Sequence, residues 1–337
     1  MDKLSEIEYE IILYNEDQGN SKLEINIKGK NINYIIINTI RRAILTYVPI
    51  YAFTEFNFTA NESIFTKNQI KLRIKNLPVW GIINNIDKIE NQKKIEKENF
   101  IEEDDFNNIE DNIDLENNNN LNSSSLNQLT MYIDYKSSGK EITTVTTDHA
   151  KFYYDGKNIE SPYKVPIPIV KLQPDQIITF SALTTLGNEK ENTIFSPVSV
   201  CYYKENSENN LNFIIESRGQ INEKRILDVA IINIINTIEL ISKMIPENES
   251  SIEGEIILDG ENNTIGNLLS YGLQNHKHIK FAGYNVPHLL QEKIIIHYEL
   301  IDIKYNIKNI FNDVIIYFIE LFNQLLKLNK TKKSKKN

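Results

Sequence analysis

The spacing of apolar positions along this chain changes several times, and each change marks an element. Residues 7–14 are apolar and β-prone, and residues 22–28 alternate Leu23, Ile25 and Ile27 with polar neighbours, the period of a half-buried strand. Gly29 turns the chain. Over 31–48 the period lengthens, placing Ile36, Ile40, Ile44 and Tyr47 on one helical face with the Arg41–Arg42 pair off it. Pro49 ends that helix, because the residue before a proline avoids the α region. Residues 50–58 alternate again, with Tyr51 and Phe53 in one phase and Phe56 and Phe58 one step out of it. Further strands are expected at 129–136, 142–147, 177–183, 197–203 and 211–217. Residues 162–174 carry four prolines and read as a loop or edge segment. Long amphipathic helices are expected over 222–245, ending before Pro246, and over about 304–329.

The stretch 263–288 organises the rest. Asn263 and Thr264 can cap a helix, their side-chain oxygens accepting free N–H groups of its first turn. Ile265, Leu268, Leu269 and Leu273 then form one apolar face. Gly266 costs a helix roughly 1 kcal/mol relative to Ala, so its presence points to a close neighbour. Ile279 to Ala282 reads as a short strand, followed by Gly283, and Pro287 sits beside His288 in a loop. This stretch also has a counterpart: Asn38-Thr39-Ile40 aligns with Asn267-Leu268-Leu269, and Tyr51-Ala52-Phe53 aligns with Phe281-Ala282-Gly283, one residue off in spacing. Each block follows a strand and a glycine turn, at Gly29 and Gly260, and each half ends in a long helix. The pattern predicts a diverged repeat of a strand–helix–strand–strand–helix unit.

Composition narrows the class. At 337 residues, 41% hydrophobic and 25% charged, the chain is long enough for about two globular domains. A net charge of −9 argues against a general nucleic-acid-coating protein, which needs clustered Lys and Arg to displace counterions from phosphates. Cys201 is the one cysteine, so an internal disulfide or a cysteine-built zinc site is excluded. No basic leader precedes an apolar run, and no stretch approaches a membrane span, so a soluble intracellular protein is expected. Residues 84–128 differ from the rest. They are acidic and rich in Asn and Ser, with a carboxylate run from Glu102 to Asp105, and should remain disordered because they bury too little to offset chain entropy. The Lys-rich tail, 327–336, reads as a solubilising end.

Candidate chemistry is sparse. His276-x-His278 with His288 is the one set resembling a metal cluster, although His276 and His278 lie in a polar loop. Asp148-His149 suggests an acid–base pair, but no nucleophile or phosphate-cradling glycine loop accompanies it. Arg41 and Arg42 suit either phosphate binding or a solvated helix face. No catalytic residues, metal or cofactor are therefore expected.

Two sets of motifs carry a family resemblance. Thr264-Ile265-Gly266-Asn267-Leu268-Leu269, followed by Phe281-Ala282-Gly283 and Pro287-His288, closely resembles the eleventh, small subunit of eukaryotic-type RNA polymerases. Asn38-Thr39-Ile40-Arg41-Arg42 with Val48-Pro49 is similar to the signature of the α-like subunits, the bacterial α amino-terminal domain and the third-largest archaeal and eukaryotic subunit. The Asn61/Ser63/Arg73/Leu77-Pro78 spacing, and Ile214-Glu216-Ser217-Gly219 before a final helix, extend that likeness along most of the chain outside 84–128. The low-complexity segment stands where subunit three often carries a cysteine-bound metal loop.

The resemblance implies a fusion of subunit three with subunit eleven, as in large DNA viruses. Its fold would be α+β: two α-like dimerisation units forming an intramolecular pseudo-dimer, the first carrying a mainly β insert. Residues 1–53 and 197–246 would form the first unit, 54–196 the insert, and 247–337 the second unit, with a linker near 246–252. It implies a non-catalytic scaffold that nucleates assembly of the largest and second-largest polymerase subunits and binds small subunits. DNA would be met only through the complex, with no membrane and no homodimer. If viral, the location would be the host cytoplasm, in viral factories, and the virion. The implied subunit-interface residues are Ile36, Asn38, Ile40, Arg41, Arg42, Ile44, Ile265, Gly266, Asn267, Leu268, Leu269, Phe281 and Gly283. Arg42, expected to be exposed, is the one the resemblance places against the second-largest subunit. The alternatives are a free-standing interaction protein and an enzyme with a loop-built site.

Overall fold

The strand expected over 22–28 forms there because its alternation lets one face be buried: Leu23, Ile25 and Ile27 are enclosed while their neighbours stay half-accessible. The computed structural model describes residues 4–17, 21–80, 128–245, 252–288 and 293–331. In chain order the strands and helices up to the middle are β1 (Glu8–Asn15), β2 (Lys22–Lys28), α1 (Tyr34–Tyr47), β3 (Ile50–Asn61), α2 (Lys67–Lys75), β4 (Leu129–Lys136), β5 (Thr143–Thr146), β6 (Ala150–Tyr154), β7 (Lys157–Ile159), β8 (Pro168–Leu172) and β9 (Ile177–Gly187). There follow β10 (Val198–Ser207), β11 (Asn210–Ser217), α3 (Glu223–Met244), β12 (Glu253–Asp259), α4 (Asn263–Gln274), β13 (Ile279–Asn285), β14 (Lys293–Leu300) and α5 (Ile307–Thr331). The expected linker 246–252 and the segment 84–128 fall almost entirely outside the described residues.

The chain divides into two compact units, Met1–Val48 with Asn188–Lys190 and Ser196–Asn337, and Pro49–Gly187 with Glu191–Phe195. The first unit holds both sheets of the repeat. One has the order β1-β2-β11-β10 and the other β12-β14-β13, all antiparallel. Leaving β1 aside, the two sheets share one strand order, with β2, β11 and β10 in the places of β12, β14 and β13. Helix α1 packs on β10 and β11, and α4 packs on β13 and β14, while α3 and α5 lie along each other. The fold is thus two α-like dimerisation units paired within one chain.

Two glycines set the depth of packing in the second half. A Cβ at Gly266 would lie 2.7 Å from the Tyr284 ring, and one at Gly272 would lie 2.5 Å from Val314 Cγ1 and 2.6 Å from Phe318 Cε2. The close neighbour expected of Gly266 is therefore its own sheet, and Gly272 lets α5 approach α4.

The second unit is mainly β, with a five-stranded sheet β3-β9-β4-β6-β7, a two-stranded sheet β5-β8 and the short helix α2. Phe53, Met131, Ile133, Phe152 and Phe180 fill its core. The phase change between Phe53 and Phe56 has a direct cause: the β3–β9 register slips between Phe53 and Glu55, so one extra residue reverses the faces downstream. Strand β3 belongs to this unit, so the alignment of Tyr51-Ala52-Phe53 with Phe281-Ala282-Gly283 does not correspond to equivalent strands. The strand in the place of β13 is β10. Residues 168–172, within the proline-rich stretch, do form an edge strand.

Candidate subunit interface

The two halves of the first unit meet through their helices, and the contact begins at the helix caps. Asn33 caps α1, its Oδ1 accepting from Ile36 N at 3.1 Å, while its Nδ2 donates to the Tyr271 hydroxyl of α4 at 2.6 Å. Asn262 caps α4 in the same way, its Oδ1 accepting from Thr264 N at 2.9 Å, while its Nδ2 donates to the Tyr47 hydroxyl of α1 at 2.7 Å. Asparagine is suited to this double duty: the carbonyl caps, and the amide nitrogen remains free to donate across the seam. An aspartate would cap equally well and donate nothing. Each helix start thus meets the later part of the opposite helix, so α1 and α4 run antiparallel about an approximate twofold, the two tyrosines standing at different distances from their own caps. The cap of α4 is Asn262, one residue before the Asn263–Thr264 pair expected from sequence.

A second polar knot closes the far side. Asn329 of α5 is 2% exposed; its Nδ2 donates to Asp228 Oδ1 at 2.8 Å and to the Lys224 carbonyl at 3.0 Å, and its Oδ1 accepts from the Tyr9 hydroxyl at 2.8 Å. Helix α5 of one half is thereby tied to α3 and β1 of the other. Burial pushes the Asp228 carboxyl up from its ordinary value, opposed by the Asn329 bond and by Lys330, Arg225 and Lys224. Burial, then the Asp228 charge, raises the Tyr9 phenol. Asn31 Nδ2 adds a further bond to the Tyr317 hydroxyl at 2.9 Å.

The residues expected at an interface fall into three groups. Ile36, Ile40 and Ile44 on α1, and Ile265, Gly266, Leu268 and Leu269 on α4, are buried within this unit. Asn38, Arg41 and Asn267 are half-buried, with Arg41 Nε donating to Asn38 Oδ1 at 3.0 Å. Arg42 is not the free, exposed side chain expected: it is half-buried, and its Nε donates to Thr264 Oγ1 at 2.6 Å across the seam. Phe281 (53% exposed) and Gly283 lie on the outer face of the three-stranded sheet, opposite Glu299 and His297, and not between the halves. Sequence reasoning missed Asn33, Tyr47, Asn262, Tyr271 and Asn329. For the caps the signal was available, since an Asn directly before a helical apolar stripe is a cap candidate.

The other candidates resolve into structural roles. His149 closes a capping box, its Nδ1 paired with the backbone N of Thr146 at 3.1 Å. His276 is buried, with Nε2 3.6 Å from Asp313 Oδ2, and burial lowers its pKa. The His278 ring stacks on Tyr305 at 3.8 Å. Among the described residues no three His, Cys, Asp or Glu side chains are grouped so as to hold a metal. Burial raises the Cys201 thiol to about 12, against the pull of Arg41. Among the described residues no helix is long and apolar enough to cross a membrane.

Two sheets of one strand order, joined by reciprocal helix caps within one chain, define a dimerisation module of the α-like kind. Residues 253–327 match the RNA polymerase Rpb3/Rpb11 dimerisation domain. Over 328 residues the chain is 26% identical to a protein named as a DNA directed RNA polymerase subunit, R470, of Acanthamoeba polyphaga mimivirus, covering 93% of this chain and 92% of that protein. The resemblance to a fused α-like subunit of a large DNA virus therefore holds along nearly the whole chain.

Proposed function

We propose that this chain is a non-catalytic assembly subunit of a multisubunit DNA-directed RNA polymerase, a preformed scaffold on which the largest and second-largest subunits assemble. The observation that supports it best is the reciprocal pairing of α1 and α4, which completes inside one chain the dimer that a scaffold of this kind presents. On this reading the chain works without cofactor or metal, meets DNA only through the complex, also binds small polymerase subunits, and forms no homodimer. Transcription in viral factories and packaging in the virion would follow from a viral source.

Arg42 is the residue proposed to reach the second-largest subunit. Arg42 would act there from its bond to Thr264, so loss of docking must be separated from loss of the seam. The test is affinity purification of the tagged full chain from cells that express it, with mass spectrometry of what co-purifies. Recovery of both large polymerase subunits is expected. Their absence, with the chain folded and monomeric, would overturn the proposal. Arg42→Ala should reduce recovery of the second-largest subunit, while Thr264→Val, which removes only the internal acceptor, should leave recovery unchanged. Equal recovery with wild type and Arg42→Ala would remove Arg42 from the proposal.

A further inference from the structure

The two halves share a strand order but differ by one strand. The first half carries β1 outside β2, whereas β12, which occupies the place of β2, is an edge with no such neighbour among the described residues. Strand β1 shows what this kind of sheet accepts at that edge. It runs antiparallel to β2 from Glu8↔Lys28 to Asn15↔Lys22 and buries Tyr9 and Ile11 on the helix side. On the outer side it sets Glu8 against Lys28 Nζ at 3.0 Å.

The backbone of β12 is laid out to receive the same addition. Leu300 N donates to Ile252 O, and the β12–β14 register then runs without a shift to Asp259↔Lys293. Because backbone groups of an antiparallel strand point alternately to either side, Gly254, Ile256 and Leu258 address β14. The N–H and C=O groups of Glu253, Glu255, Ile257 and Asp259 point to the open edge. Ile256 and Leu258 are buried on the helix side, while Ile257 is 50% exposed and Glu253, Glu255 and Asp259 are exposed on the outer side. Of the usual guards of an exposed edge, β12 lacks proline, lysine and bulges and carries acidic side chains alone, which repel an acidic strand and leave the edge open to a cationic one.

The geometry points to β12 as a docking edge for an extended segment of a partner polypeptide, added antiparallel, in which apolar residues alternate with Lys or Arg. Its apolar side chains would continue the layer of Ile256 and Leu258, as Tyr9 and Ile11 do beside β2. Its cations would face Glu253, and would add to the contacts that Glu255 and Asp259 already make with His297 (3.2 Å) and Lys293 (3.8 Å) of β14, repeating the Glu8–Lys28 pair with the signs exchanged. A second copy of this chain fits poorly, since two β12 edges would bring like carboxylates together, which cross-strand pairing disfavours. The acidic run Glu102 to Asp105 has the same sign as the edge and is disfavoured for the same reason. The inference concerns the edge alone and stands apart from the polymerase reading.

The test uses the full chain and a synthetic peptide, acetyl-Lys-Val-Lys-Val-Lys-Val-Lys-amide, with a counterpart bearing Glu in place of Lys, each on the order of 1 mM, the range of weak association. Hydrogen exchange at residues 253–259 should slow about tenfold with the lysine peptide and remain unchanged with the glutamate peptide. Ile257→Pro, which removes an edge-facing N–H and no bond to β14, should abolish the slowing while β14 stays protected. Glu253→Lys with Glu255→Lys should transfer the preference to the glutamate peptide, and decides the matter if the proline variant does not fold. No slowing with either peptide, equal slowing with both, or a homodimer joined through β12 would overturn the inference.

Discussion

Replacing Asn329 with Leu removes the centre of the knot that joins the two halves at α3, α5 and β1. The side chain makes bonds of 2.8, 3.0 and 2.8 Å to Asp228, the Lys224 carbonyl and the Tyr9 hydroxyl, and it is 2% exposed, so water does not replace them. Each buried group left unpaired costs about 1–3 kcal/mol, the carboxylate lying at the upper end. Partial rescue comes if the Tyr9 hydroxyl turns to Asp228, whose charge it already senses. The expected net loss is about 3–5 kcal/mol, a large share of the ~5–15 kcal/mol that holds a typical domain together. At roughly 2–4 °C per kcal/mol for a body of this size, the thermal midpoint should fall by about 6–20 °C. Urea denaturation gives the free energy, and hydrogen exchange shows where it is lost. Because the knot spans both halves, β2 and β14 should lose protection together. In a Tyr9→Phe background no hydroxyl can turn to Asp228, so the same substitution should cost about 1 kcal/mol more. A loss below about 1 kcal/mol, additivity with Tyr9→Phe, or selective release of residues 253–331 would refute the reasoning.

Asp228→Asn keeps the acceptor for Asn329 and removes a buried charge. Since the folded carboxyl is raised, the native ion is disfavoured relative to the unfolded chain, and the variant should match or exceed wild-type stability at pH 7, the gain vanishing below the ordinary carboxylate pKa. Gly272→Ala gains about 1 kcal/mol of helix propensity but places a methyl 2.5 Å from Val314 Cγ1. Overpacking of about 1–3 kcal/mol should make it net destabilising in urea, and Val314→Ala should restore part of the loss. For His276 the folded pKa lies below its ordinary 6.5, so the neutral ring is favoured in the fold. Its contribution is complete above pH 6.5 and declines as pH falls toward the folded value, and His276→Gln should flatten the thermal midpoint between pH 7.5 and 5.5.

What the sequence makes legible is whatever burial imposes on local spacing. The strands at 22–28 and 129–136 form over those residues, and the long helices end within a few residues of their expected bounds, because each offers one sustained period to a core. Helix α2 buries only Ile70 and Ile74 and shows no such stripe, although Thr66 and Gln69 spell a capping box at its start. The β6–β7 hairpin is too short for a period to appear. Its signal is Asp155-Gly156, both at positive φ, as a tight two-residue hairpin turn requires. The seam was the least legible part. Asn33 and Tyr271 lie 238 residues apart, Asn262 and Tyr47 215, and Tyr9 and Asn329 320, and no local pattern encodes a partner at that distance.

The seam also offers a means by which a pair of related halves would avoid pairing with itself. Counted from their caps, Arg42 and Tyr271 occupy the same helical position, and so do Ile35 and Thr264. In the observed pairing each position-equivalent residue reaches the start of the opposite helix and finds a matched group: Arg42 finds the Thr264 hydroxyl and Tyr271 finds the Asn33 amide. If two first halves met in the same geometry, Arg42 would face Ile35, which offers no acceptor, and would have to compete for the Asn33 carbonyl oxygen that already caps Ile36 N. An unpaired donor at a half-buried seam costs about 1–3 kcal/mol, and symmetry would impose that cost twice. On the proposed reading the first half would discriminate against its own copy by chemistry at one position, while covalent linkage keeps the matched second half at high local concentration. Symmetric folds supply the twofold, and the differences between equivalent residues decide which two halves use it.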